Sequence, residues 1–212
     1  MIAMRQLKIL AATIVVAASS LSCGSVVRNG SSPMFMVVNL LQGSRGGPTA
    51  GTPGNPVDSD VLTNVTTPLP CTAASPCPTY FSDSGQVTLA LVPKNIATVG
   101  TAAAPSSNNE VTITRYHVVY TRADGRNTPG VDVPYPIDGV VTGTIQIGST
   151  LSLGFELVRI SAKQEPPLAA LVTSPQVLVT IASITFYGQD LVGNAISATG
   201  AIQIDFANFG DF

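Results

Sequence analysis

Val177-Leu-Val-Thr-Ile-Ala-Ser-Ile-Thr-Phe-Tyr-Gly-Gln-Asp190 runs through Leu-Val-Gly-Asn194 into Ala195-Ile-Ser-Ala-Thr-Gly-Ala-Ile-Gln-Ile-Asp-Phe206. In the second half Ile196, Ala198, Gly200, Ile202, Ile204 and Phe206 share one face, while Ser197, Thr199, Ala201, Gln203 and Asp205 share the other. That period of two belongs to a half-buried strand. The first half is rich in Val, Ile, Thr, Phe and Tyr, which suit a pleated surface, and Gly193-Asn194 tolerate the positive φ of a tight turn. The stretch predicts an antiparallel hairpin that the upstream strands need as a partner.

Composition agrees with this reading. Charged residues are 10% of the 212, well below the roughly 25% of an average soluble domain, and 19 Gly with 16 Pro punctuate the chain as short strands require. The expectation is an all-β protein with one sizeable core. Removing residues 1–22 takes away Arg5 and Lys8, leaving 8 basic against 12 acidic residues. No basic face remains for displacing counterions from nucleic acid. The absence of Trp weakens a sugar platform of stacked indoles, although five Tyr are present.

Met1 to Ser22 has the layout of an export signal, with Arg5 and Lys8 before the apolar Ile9–Ala18 and small residues after it. The apolar run is shorter than the roughly 20 residues that span a bilayer as a helix, so cleavage is expected. Ser19-Ser-Leu-Ser-Cys23-Gly24 resembles the lipobox of bacterial lipoproteins, with small Ser22 before the cysteine; Leu21 and Ser20 depart from its commonest form, which has Leu at the third position before Cys. The resemblance implies that Cys23 becomes the first mature residue and carries fatty acyl chains, palmitate among them, and that Gly24 directs the protein to an outer membrane. The alternative is ordinary signal cleavage with Cys23 incidental. Residues 23–33 then read as a polar tether and 34–212 as one β-sandwich domain.

Met34–Leu41 is continuously apolar except at Asn39 and predicts a strand buried on both faces or swapped between sheets. Met34 and Met36 are read as core side chains rather than a copper site. Residues 42–86 are rich in Gly, Pro, Ser and Thr and read as a long loop insertion, of the kind that is functional, disordered or a linker. It holds Cys71 and Cys77, which an oxidising compartment would join as a disulfide. Strands resume at 87–92 and 111–122, with Tyr116, Val118 and Tyr120 on one face and Arg115, His117 and Thr121 on the other; Val111 and Ile113 fall in the opposite phase, so a bulge or a change of sheet is expected near Thr114. Asp124, Asn127 and Asp132 offer hard oxygens for calcium, but Asp-Gly and Pro-Gly are turn formers in their own right. The turn reading, with Arg122 and Arg126 pairing the carboxylates, is preferred. Val140–Ile147 and Leu151–Ile160 around Gly148 look like a second hairpin with Glu156 outward, followed by a connector with Pro166-Pro167.

Seven or so short strands in an exported chain suggest a Greek-key sandwich. Residues 184–204 resemble the last two strands of bacterial immunoglobulin-like and fibronectin type III-like domains, and the chain resembles uncharacterised bacterial lipoproteins that carry one. The resemblance implies a fold and no activity. No GxSxG, GxGxxG or P-loop lysine occurs, and His117 is the only imidazole. The expected role is a non-catalytic envelope protein without a cofactor, anchored to a membrane by lipid and engaging a protein partner. A carbohydrate or small-ligand module using Tyr80 and Phe81 beside the disulfide is the second reading, and an envelope hydrolase the third. The tail Asp205–Phe212 is either a packed last turn or a docking peptide.

Overall fold

A computed structural model describes residues 32–49, 51–94 and 106–210. The protein is all-β, and the described residues form ten strands: β1 (Met34–Ser44), β2 (Val57–Asp60), β3 (Thr63–Val65), β4 (Cys77–Thr79), β5 (Asp83–Pro93), β6 (Val111–Thr121), β7 (Ile137–Ile145), β8 (Thr150–Val158), β9 (Leu178–Asp190) and β10 (Ala195–Ala207). One helical turn, α1 (Ile160–Gln164), and a 3-10 stretch at Leu168–Thr173 join β8 to β9. Among the described residues no helix is long and apolar enough to cross a membrane.

Two sheets face each other across the core. One has the order β1-β5-β8 and the other β2-β10-β9-β6-β7; β3 and β4 form a small separate hairpin. The terminal hairpin forms as its alternation requires, with Ala195 opposite Gln189 and Phe206 opposite Leu178. Its inward positions Ile202, Ile204 and Phe206 are buried. The phase break in β6 is a bulge: pairing with both β7 and β9 slips between Ile113 and Arg115, leaving Thr114 and Arg115 both exposed.

Aromatic rings bridge the sheets. Phe155 on β8 lies 5.2 Å from Tyr116 on β6 and 5.3 Å from Phe186 on β9, centroid to centroid. Each of two rings covers a glycine directly across the strand pair, Tyr116 over Gly139 and Phe155 over Gly85, where any Cβ would overlap the ring. Glycine is what lets these rings lie flat on the neighbouring backbone. Met34 and Met36 point into this core.

Three expectations are corrected. β1 is not buried on both faces: Phe35, Val37 and Leu40 are exposed, because among the described residues no element packs on the outer face of its sheet, and a bulge between Val38 and Leu40 shifts its phase. β7 and β8 do not form a hairpin. β7 pairs with β6 and β8 with β5, so Gln146–Ser149 is an arch carrying the chain from one sheet to the other. The arch arises because Leu151 and Leu153 pack their side chains against Gly143 instead of continuing a hydrogen-bonded ladder. Finally, residues 42–86 are not one loop. They hold the end of β1, all of β2, β3 and β4, and the start of β5; β2 adds to β10 in parallel, with Val57 opposite Ile204 and Asp60 opposite Ala207.

The strand directions give the molecule two ends. At the entry end lie Ser32, the close of β5, the β7–β8 arch and the β9–β10 turn. At the far end lie residues 44–49 and 51–83, the loop 122–136, α1 and residues 208–210 after β10.

Candidate functional site

At the far end, residues Arg45–Thr49, Thr63–Thr67, Ala73, Pro76 and Asn208–Gly210 surround an open cleft of about 860 Å³. Its lining is mostly threonine hydroxyls, amides and backbone, with Arg45 as the charged side chain among the lining residues.

Beneath it sits a buried polar network. Lys163 and Asp83 have no exposed side-chain surface and meet at 2.9 Å. Lys163 Nζ also donates to the Asp60 carbonyl at 2.8 Å, and the Ser59 hydroxyl donates to the second oxygen of Asp83. Burial of such a pair is tolerable only when hydrogen bonds satisfy the remaining atoms, as here. The network also fixes the cleft. Gly46 N–H donates to Asp83 at 2.8 Å, and Gly46 lies so close to Ser82 that no side chain fits there. Asp60, likewise buried, accepts from Thr63 Oγ1 at 2.8 Å and from Phe209 N–H at 3.1 Å. Asn208 is tied to the Val172 carbonyl at 2.7 Å. Three walls therefore hang on two buried carboxylates, while the Cys71–Cys77 disulfide closes the turn that provides the fourth. Close by, Tyr120 donates to the Leu157 carbonyl; burial first, and then the charge of Asp83, push its phenol far above the ordinary range, so it stays protonated.

The predicted residues fall in different places. Cys71 and Cys77 are bonded as expected. Tyr80 and Phe81 are half-buried rather than exposed and do not line the cleft; the Cβ of Phe81 lies close behind Gly46. Cys23, the signal segment 1–22 and most of the tether lie outside the described residues. The tail packs through Phe209, and the last two residues lie outside the described set.

His117 stands on the outer face of β6 with Nδ1 2.8 Å from Asp138 on β7, on the opposite side of its sheet from the inward-pointing Met34 and Met36. Beside it the Arg115 guanidinium stacks 3.8 Å over Tyr187. In the loop after β6, Asp124 is held by Arg122 at 2.6 Å and by Arg126 at 2.9 Å, Asn127 accepts from Arg122 N–H, and Asp132 accepts from Thr128 N–H. Hydrogen bonds from Arg122 and then Arg126 pull the Asp124 carboxyl down to about 2 despite slight desolvation. These three side chains make a turn closed by arginine, and among the described residues no cluster of three His, Cys, Asp or Glu is arranged to hold a metal.

Sequence reasoning missed Lys163, Asp83, Asp60 and Ser59. Their signal was weak: Lys163 sits between apolar Ile160, Ala162 and Leu168 in a stretch read as a connector, and the other three fall in or beside the apparent loop. No protein-family model matches the chain, and no curated protein matches it.

Proposed function

We propose that this chain is a non-catalytic protein of a bacterial cell envelope, lipid-anchored through Cys23 at an outer membrane, whose immunoglobulin-like Greek-key sandwich presents the far-end cleft to a protein partner. The fold part rests on strand order. With β1, β5, β6, β8, β9 and β10 read as A, B, C, E, F and G, one sheet runs A-B-E and the other contains C-F-G, the division an immunoglobulin-like sandwich makes. In that reading β7 is the extra C′ strand beside C, and β2 is the continuation of A that crosses to pair with G.

The observation that carries the binding role is the construction of the cleft. Its walls are pinned in place by Asp60, Asp83 and the disulfide, yet Asp83 and Lys163 are wholly buried and act on it only through the backbone they hold. Rigid walls lower the ordering cost of association. The outer-face His117–Asp138 pair lies on a flat sheet rather than in this cleft.

The test is photo-crosslinking from the cleft rim in membranes, comparing the native chain with Thr66→Trp, an exposed lining position where the indole fills the cleft without touching the core. A protein adduct lost in the variant supports the proposal; adducts indifferent to the substitution contradict it. The hydroxyl- and amide-rich lining favours a second reading, a glycan or small polar ligand, for which retention on a polysaccharide column lost on Thr66→Trp is the expected result.

A further inference from the structure

The entry end carries an apolar surface that the cleft does not use. Leu191 and Val192 form the tip of the β9–β10 turn and are 59% and 68% exposed, where a turn exposed to water alone would more ordinarily carry polar residues. Phe35 and Val92, paired across β1 and β5, are exposed at the same end, and Lys94 Nζ sits 5.1 Å above the Phe35 ring. Ser32, the first described residue, is buried against this turn and its hydroxyl bonds the Asp190 carboxylate. The polypeptide arriving from Cys23 thus reaches the fold beside Leu191 and Val192.

Asp190 is spent on the amides of Val192 and Asn194 and on the Asn194 side chain, at 3.1, 2.8 and 2.9 Å; burial opposes its charge, but these bonds hold the carboxyl below its usual range. Glu110 is half-buried. Lys94 is an exposed cation at this end, and its backbone N–H is fixed on the Pro33 carbonyl at 2.8 Å.

We propose that this end rests on the membrane itself, with Leu191, Val192, Phe35 and Val92 dipping into the interface of an anionic phospholipid surface and Lys94 among its headgroups, so that the cleft faces away from the bilayer. The inference rests on the lipid anchor at Cys23. Eight residues separate Cys23 from Ser32, nine steps that reach at most about 32 Å when fully extended, so an anchored domain cannot move far from the lipid. Exposed apolar side chains held that close partition into the interface, and a lysine adds attraction to anionic headgroups. Strands of 11 to 13 residues place the cleft on the order of 35 Å away at the other end.

The chain has no Trp, so a single indole reports its own position. We would purify the full lipidated protein as Val192→Trp and as Leu69→Trp, a far-end position 82% exposed, and place each in phosphatidylglycerol-containing vesicles with brominated acyl chains. Val192→Trp should lose about half its emission or more, with a blue-shifted maximum, while Leu69→Trp is unquenched. The same indole at both sites cancels its own liking for interfaces. Quenching at both positions, at neither, or at Leu69→Trp alone overturns the orientation while leaving the anchor intact. An unacylated mature mass in the same preparation overturns the anchor, and the orientation with it.

Discussion

Lys163 is the residue whose removal should be felt most. Its ammonium is wholly buried and held by two oxygens, Asp83 Oδ1 and the Asp60 carbonyl, while the Ser59 hydroxyl holds the other oxygen of Asp83. Taking away one partner leaves the other charged and buried, so Lys163→Ala or Asp83→Ala should each cost about 3–5 kcal/mol in urea unfolding. The double change Lys163→Met with Asp83→Leu should recover much of that loss, and its failure to do so would mean that the carboxylate matters chiefly through Gly46 and Ser59. Asp124 makes a different prediction. Its folded pKa of about 2 lies below the ordinary 3.8, so its contribution to the 122–132 turn is fully present above about pH 4 and is lost as pH falls toward 2. Protection of the Arg126 amide, which donates to Asp124, should fall over that window in the native protein, relative to the intrinsic exchange rate at each pH, and Asp124→Asn should remove that fall. Neither lysine nor network was legible in the sequence, because a buried charge is recognisable only from what folds around it. The arginine-closed turn was legible, since all its partners lie within a few residues.

Elements set by local pattern were the easiest to foresee. The terminal hairpin follows from alternation alone, and the bulge at Thr114 from two apolar phases meeting in one strand. The β7–β8 arch was missed because a turn sequence fixes that the chain reverses, not whether its arms pair by hydrogen bonds or by side chains. β2 was missed for a related reason: only Val57, Ser59, Asp60 and Val61 turn inward, too few to stand out against the surrounding Gly and Pro. Two predictions belong to this scale. Gly139→Val drives a side chain into the ring of Tyr116 and should destabilise by about 1–3 kcal/mol, with the loss visible in near-ultraviolet tyrosine dichroism. Replacing Cys71 and Cys77 by Ser removes a constraint worth roughly 2 kcal/mol in the loop-entropy account. Because that loop joins β3 to β4 outside the two main sheets, exchange should quicken at Thr63–Val65 while β9 and β10 keep their protection. Uniform loss across all strands would show that the hairpin is integral to the core.

At the scale of the molecule, polarity along the strand axis is the main result. Chain entry, the Leu191–Val192 tip and Lys94 lie at one end; the disulfide, the buried ion pair and the cleft lie at the other. The all-β class was legible in the sequence, but not this arrangement, which depends on which strands cross between sheets. Under the proposed anchor at Cys23 that polarity has a purpose, since a domain tied at one end presents the other. The most direct test is the intact mass of the mature protein extracted from membranes, measured beside Cys23→Ala. A chain beginning at Cys23 with added acyl groups, and loss of both acylation and membrane retention in the variant, is the predicted result. An unmodified mature chain recovered in the soluble fraction would contradict the account.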